Sequence, residues 1–160
     1  MIVLVGFMGA GKTTVGHLLA GKLGLAFVDS DLIIESRAGR SIREIFASDG
    51  EPAFRELEHE IIAGLLRGPD AVLALGGGAA EHPATQDALG GIGVVYLHVG
   101  YDEAMRRVSH DAGRPMLGAP DLAAIFERRL AAYRSVATHT VVTDGRRPED
   151  VCLDIIGRLA

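Results

Sequence analysis

The residues best suited to chemistry begin near the amino terminus, where the chain reads Gly6-Phe7-Met8-Gly9-Ala10-Gly11-Lys12-Thr13-Thr14. This fits G-x-x-x-x-G-K-[ST], set between an apolar run and a segment of helical period. Glycines in such a loop let backbone N–H groups turn inward around phosphates, and the start of the following helix adds positive potential there. Lys12 then reaches the β- and γ-phosphates of a nucleotide and the Thr13 hydroxyl holds Mg²⁺. An ordinary glycine-rich turn is the plain alternative, but the matched positions and their context favour phosphate binding.

Asp29-Ser30-Asp31 follows the second strand-like run, where open α/β sheets place their ligands. One carboxylate suits a Mg²⁺ shell and the other can accept a proton from a substrate hydroxyl, while capping of the next helix is the structural alternative. Gly76-Gly77-Gly78 ends the third strand-like run, and three glycines favour close approach of a small polar ligand to backbone. Arg55 has Glu51 and Glu58 at i−4 and i+3, so a surface ion pair is its simplest explanation. Arg129 lies at the edge of the stripe Leu122, Phe126, Leu130 and Tyr133. A guanidinium on a core-facing seam needs an anion, either a buried carboxylate of the protein or a bound acid. Arg114 precedes Pro115 in a stretch without periodicity, where an arginine closing over phosphates would stabilise transferring charge; a solvated arginine is the alternative. Arg107 and Arg146-Arg147-Pro148 could flank an adenine.

The elements that must position these groups alternate. Strands are expected at 2–5, 26–28, 71–75, 93–98 and 140–142, and helices at 12–23, 31–36, 41–46, 51–66, after Pro83, 102–108, 121–137 and 148–159. Residues 109–120 read as a loop of a length that usually has a function. Such alternation predicts a parallel sheet sandwiched by helices.

With 160 residues, 16 basic and 21 acidic side chains, and a net charge of −5, one domain over 1–160 is expected and a nucleic-acid binder is disfavoured. A single cysteine, Cys152, excludes a disulfide framework and suits core filling. The histidines show no metal spacing, and His98 and His110 read as structural. The sequence contains no asparagine, so a guanine-reading Asn-Lys-x-Asp loop is absent. No apolar run approaches membrane-spanning length and no signal segment opens the chain. Nothing calls for a membrane or a partner chain, so a cytoplasmic monomer is the expectation.

Taken in order, the phosphate loop, Asp29-Ser30-Asp31, Phe54-Arg55, Leu75-Gly76-Gly77-Gly78, Arg114-Pro115, and Arg129 with Tyr133 form a series that resembles the shikimate kinase family over essentially the entire chain. The resemblance implies a three-layer P-loop kinase fold with a five-stranded parallel sheet of order 2-3-1-4-5, a lid at about 109–120 and a substrate-binding segment at about 29–60. It implies transfer of the ATP γ-phosphoryl group to the 3-hydroxyl of shikimate, a step toward aromatic amino acids, with Mg²⁺. Site roles follow from it by position. Asp31, Arg55, Gly76, Gly77, Gly78 and Arg129 face shikimate, with the arginines on its carboxylate and Asp31 on ring hydroxyls as candidate base. Gly9, Ala10, Gly11, Lys12, Thr13 and Thr14 hold the phosphates, and Thr13 and Asp29 serve the metal. Arg114 reaches over the phosphates from the lid, and Arg107, Arg147 and Pro148 border adenine. The lid segment is short for the pattern. A kinase of another small hydroxy acid such as gluconate, or a silent ATP-binding regulator, are the rival readings. An inward arginine pair facing the glycines disfavours the first, and intact Lys12, Thr13, Asp29 and Asp31 the second.

Overall fold

The computed structural model describes residues 1–109 and 121–160. Five strands form one parallel sheet: β1 (Ile2–Val5), β2 (Ala26–Asp29), β3 (Ala71–Ala74), β4 (Gly93–His98) and β5 (His139–Val142), in the order β2-β3-β1-β4-β5. This is the order implied by the family resemblance. The central strands read as unbroken apolar runs because helices cover both faces; Val3, Leu4, Val72, Val94, Val95 and Leu97 are all fully buried. The helices are α1 (Lys12–Leu23), α2 (Ser30–Ala38), α3 (Ile42–Leu66), α4 (Pro83–Ala88), α5 (Tyr101–Val108), α6 (Leu122–Val136) and α7 (Pro148–Leu159).

The chain lays β2 and β3 on one side of β1, then crosses to place β4 and β5 on the other. The reversal opens a crevice beyond the carboxyl end of β1, and the glycine-rich loop occupies that end. In α3 the two expected helices run together. Ser41 and Glu44 form a full capping box at its start, and Gly50, at φ +82° and ψ 168°, kinks it before Pro52. A backbone with that φ is open to glycine at little cost, so the break falls there. A single 3-10 turn, Ala79–Glu81, follows the triple glycine; its brevity leaves no periodic signal in the sequence.

Two packed clusters result. The larger surrounds the sheet, with Cys152 fully buried in it, as expected for core filling. The smaller comprises Ile34, Ile45, Phe54 and Ile61 and fastens α2 to α3, which carries the segment holding Asp31 and Arg55. His98 makes the expected structural contact, its Nδ1 lying 2.9 Å from the Tyr96 hydroxyl. Residues 110–120, including His110, Arg114 and nearly all of the expected lid, lie outside the described residues. Among the described residues no helix is long and apolar enough to cross a membrane.

Candidate active site

The phosphate loop takes its shape from local backbone. Gly9 adopts φ +76° and passes so close to α5 that a Cβ would stand 2.9 Å from the Ala104 carbonyl oxygen, so any larger residue would both strain the backbone and clash. Gly11 caps α1 with no side-chain hydrogen bond, which leaves the first N–H groups of the helix to a ligand. Lys12 folds back over the loop, its Nζ donating to the Gly6 carbonyl at 2.7 Å and to that of Phe7 at 3.3 Å. Arg107 fastens the loop from α5: it donates to the Gly9 carbonyl at 3.0 Å and to the Thr143 carbonyl at 2.8 Å, while Glu103 accepts from its Nε at 2.7 Å. The guanidinium is therefore a brace between the loop and the end of β5 as well as a wall of the site.

A cleft of about 930 Å³ runs along this edge of the sheet. Of the residues expected to hold nucleotide or metal, Gly9, Gly11, Lys12, Thr13, Thr14, Asp29, Arg107, Arg147 and Pro148 line it; Asp31, Gly76, Gly77 and Arg129 line it from the substrate set. Ala10 is buried in the loop. Arg55 does not line this cleft; it borders a smaller cavity of about 430 Å³ with Glu81, His82 and Arg128, and Gly78 is buried beneath it.

Asp29 closes β2 and caps α2, its Oδ1 accepting from the Asp31 amide at 3.0 Å. The cap uses only one carboxylate oxygen, Oδ1. Asp31 sits in the first turn of α2. Burial foremost, then the neighbouring charges of Asp29 and Glu58, push its carboxyl up to about 6, with Lys12 pulling the other way.

The triple glycine makes room for side chains as well as for the cleft, which Gly76 and Gly77 line. The space over it is filled by the protein's own charged side chains. A Cβ on Gly76 would meet Asp31 Oδ1 and lie 2.9 Å from Glu58 Oε1; on Gly77 it would lie 3.3 Å from Arg129 Nη1; on Gly78, 2.6 Å from Arg55 Cζ. Three consecutive missing side chains let two carboxylates and two guanidiniums converge on one strip of backbone. The strip is itself held, by Ser30 Oγ accepting from the Gly76 amide at 3.0 Å and by the Tyr133 hydroxyl donating to the Gly77 carbonyl at 2.5 Å. Burial pushes the Tyr133 hydroxyl well above the usual phenol range, so it remains a donor.

Arg55 is no surface pair. Its Nη1 donates to Glu58 Oε2 at 2.6 Å, and the Glu58 side chain is only 2% exposed. Burial drives the Glu58 carboxyl upward despite Arg55, Arg129 and His82, and the guanidinium stacks over the Phe54 ring at 5.2 Å. The pairing of Arg55 with Glu58 is the one expected from their spacing, but it is buried rather than on the surface: Glu58 falls four residues after Phe54 and three before Ile61, on the buried stripe, where a charge needs a partner. Arg129 is 5% exposed. Of the two partners left open for it, a protein carboxylate is present, with Nε donating to Glu81 Oε2 at 2.7 Å. Glu81 was missed in the sequence, and no pattern within its short turn marks it.

A family model for shikimate kinase matches residues 8–160. The chain belongs to the shikimate kinase family. A shikimate kinase of Salinispora arenicola is 48% identical over 99% of this chain and 96% of its own length. Among solved structures, the shikimate kinase of Acinetobacter baumannii in complex with shikimate superposes with a TM-score of 0.91 at 36% identity, covering 99% of this chain and 91% of that one. A gluconokinase from Sinorhizobium meliloti reaches a TM-score of 0.60 at 21% identity over 99% of this chain and 92% of that one, a likeness that shows the fold alone. This kinase is accordingly an ATP-dependent phosphotransferase with an alcohol acceptor, built on the P-loop fold described above.

Proposed function

We propose that the protein transfers the γ-phosphoryl group of ATP to the 3-hydroxyl of shikimate, giving shikimate 3-phosphate and ADP. The observation that carries this reading is that Lys12, Asp31 and Arg129 line one cleft, so a phosphate cradle, a candidate base and an acid-binding cation face a shared volume. Gly9, Ala10, Gly11 and Thr14 supply backbone and hydroxyl contacts to the phosphates, with Lys12 on the β- and γ-groups. Arg107, Arg147 and Pro148 border the adenine.

Arg129 takes the shikimate carboxylate from the cleft, and Arg55 adds positive charge from behind the glycine strip. Gly76, Gly77 and Gly78 give the ring and these side chains room. Asp31 orients the 3-hydroxyl and accepts its proton as the oxygen bonds to the γ-phosphorus and the bond to the bridging oxygen of ADP breaks. A carboxyl raised to about 6 is ionised at neutral pH yet more basic than an ordinary aspartate, which suits that task. Catalysis is otherwise positioning and charge neutralisation, to which Arg114, outside the described residues, contributes on sequence grounds.

Among the described residues no group of three or more His, Cys, Asp or Glu side chains could hold a metal ion. Mg²⁺ instead fits a hydroxyl and a carboxylate oxygen completed by phosphates and water. Thr13 and Asp29 provide that pair on the cleft wall, and the ion supplies charge neutralisation at the phosphates when bound. A monomer in the cytoplasm completes the reading; among the described residues the large exposed apolar side chains are Leu23, Leu32, Val142 and Leu153, which supports the monomer. A coupled ADP-release assay with ATP, Mg²⁺ and shikimate tests it: turnover that depends on shikimate is expected, and turnover unaffected by omitting shikimate, or restored equally by gluconate, overturns it.

A further inference from the structure

Two consecutive arginines of α6 converge on one carboxylate. Arg129 Nε donates to Glu81 Oε2 at 2.7 Å and Arg128 Nε donates to Glu81 Oε1 at 2.6 Å. Successive helical residues point about 100° apart, so both reach the same acid only because it lies between them at the flank of the helix. Glu81 ends the 3-10 turn that follows Gly78, and the short stretch forming the floor of the cleft therefore also carries this anchor.

We infer that Glu81 is a positioning residue for the substrate's acid group: it occupies the Nε edge of Arg129, leaving the terminal nitrogens of that guanidinium to a carboxylate in the cleft. This rests on the reading of Arg129 given above. Arg129 Nη1 faces Gly77 on the cleft floor, on the opposite part of the guanidinium from the Glu81 contact, and the Arg129 side chain lies with its Cζ 6.0 Å from the Phe7 ring centroid. A long side chain pinned at its Nε and laid on an aromatic ring loses little further freedom when an anion binds its free end.

Charge points the same way. Glu81 is shared with the 64% exposed Arg128, so its charge is divided between two guanidiniums, while the Glu58 carboxyl also feels Arg129. Arg55 is in the reverse condition, a single guanidinium between Glu51 and Glu58. The cleft-facing partner for the substrate's carboxylate is thus Arg129, with Glu81 holding its Nε edge and Arg128 drawing off part of the Glu81 charge. Burial works to raise the Glu81 carboxyl, but hydrogen bonds from Arg128 and Arg129 outweigh it and hold the acid below its usual range, so it stays ionised through neutral pH.

Steady-state kinetics of Glu81→Gln, Arg129→Ala, the double variant and Arg128→Gln test this, with melting temperatures measured alongside. Glu81→Gln keeps the side chain's shape, and it should raise the shikimate KM about tenfold while the ATP KM and kcat move less than about twofold. Arg129→Ala should raise the shikimate KM further, and the double variant should match Arg129→Ala alone, because nothing remains to be positioned. Arg128→Gln, which lets Glu81 neutralise Arg129, should raise the same KM about threefold. A shikimate KM unchanged or lowered in Glu81→Gln, with Arg129→Ala still impaired, overturns the inference and leaves Arg129's role intact; a lowered KM would make Glu81 a competitor for Arg129. Effects of Glu81→Gln that add in full to those of Arg129→Ala overturn it too. An unchanged KM in Arg129→Ala removes the underlying reading and this one with it.

Discussion

Replacing Asp31 with asparagine should make the protein more stable while disabling it. The carboxyl is raised from 3.8 to about 6, first by burial and then by Asp29 and Glu58. Between those values the folded chain keeps a proton that the unfolded chain has released, so this group's contribution to stability is complete below 3.8 and lost as pH rises through 6. Above 6 the cost is constant, and at about 1.4 kcal/mol per pH unit it approaches about 3 kcal/mol, with solvent relaxation around a partly exposed side chain reducing it toward about 2. Asparagine carries no charge at any pH and removes that cost. For a domain of this length 1 kcal/mol moves the melting temperature by about 2–4 °C, so Asp31→Asn should melt about 4–12 °C higher than the parent at pH 8. The gain should shrink steadily toward pH 4. Phosphoryl transfer by the same variant should fall by about 10²–10⁴-fold. Thermal unfolding of both proteins from pH 4 to pH 8, paired with the coupled assay, checks both halves. A stability difference independent of pH, or a less stable variant at pH 8, would refute the argument that this carboxylate is ionised against its surroundings.

Lys12→Ala should abolish turnover in the coupled assay, and near-normal rates would mean the glycine-rich loop does not cradle the transferring phosphates. The kcat/KM for shikimate should fall on the acid side with a slope of one below about pH 6, where Asp31 takes up its proton; a profile flat from pH 7 to pH 5 would assign proton acceptance elsewhere. Gly78→Ala should raise the shikimate KM by about tenfold or more with the ATP KM unchanged, because the added Cβ stands 2.6 Å from Arg55 Cζ and drives the guanidinium off Glu58. Wild-type kinetics in that variant would show that Arg55 need not stay where it lies.

Much of the architecture was legible because its causes are local. Unbroken apolar runs at Ile2–Val5 and Gly93–His98 mark strands buried on both faces, and the capping box at Ser41 and Glu44 marks the start of α3. Element ends moved by a residue or two, as with α2, which runs Ser30–Ala38 against an expected 31–36, because end residues are decided by what they pack against. The kink at Gly50 joined two expected helices without contradicting either.

The site divides along the same line. The phosphate loop is contiguous and its geometry is a property of its own backbone, so residue types and spacing sufficed. So did the ordered series of aspartates, glycines and arginines that marks the family. What packing alone decided is which charges meet. Glu81 and Arg129 are 48 residues apart, Arg107 reaches 98 residues back to Gly9, and the glycine strip serves side chains from α2, α3 and α6. Neighbours within a helical turn are set by chain geometry, whereas partners from separate elements meet only where the core brings those elements together, and for buried charges that meeting determines whether they are bound, strained or available to a substrate.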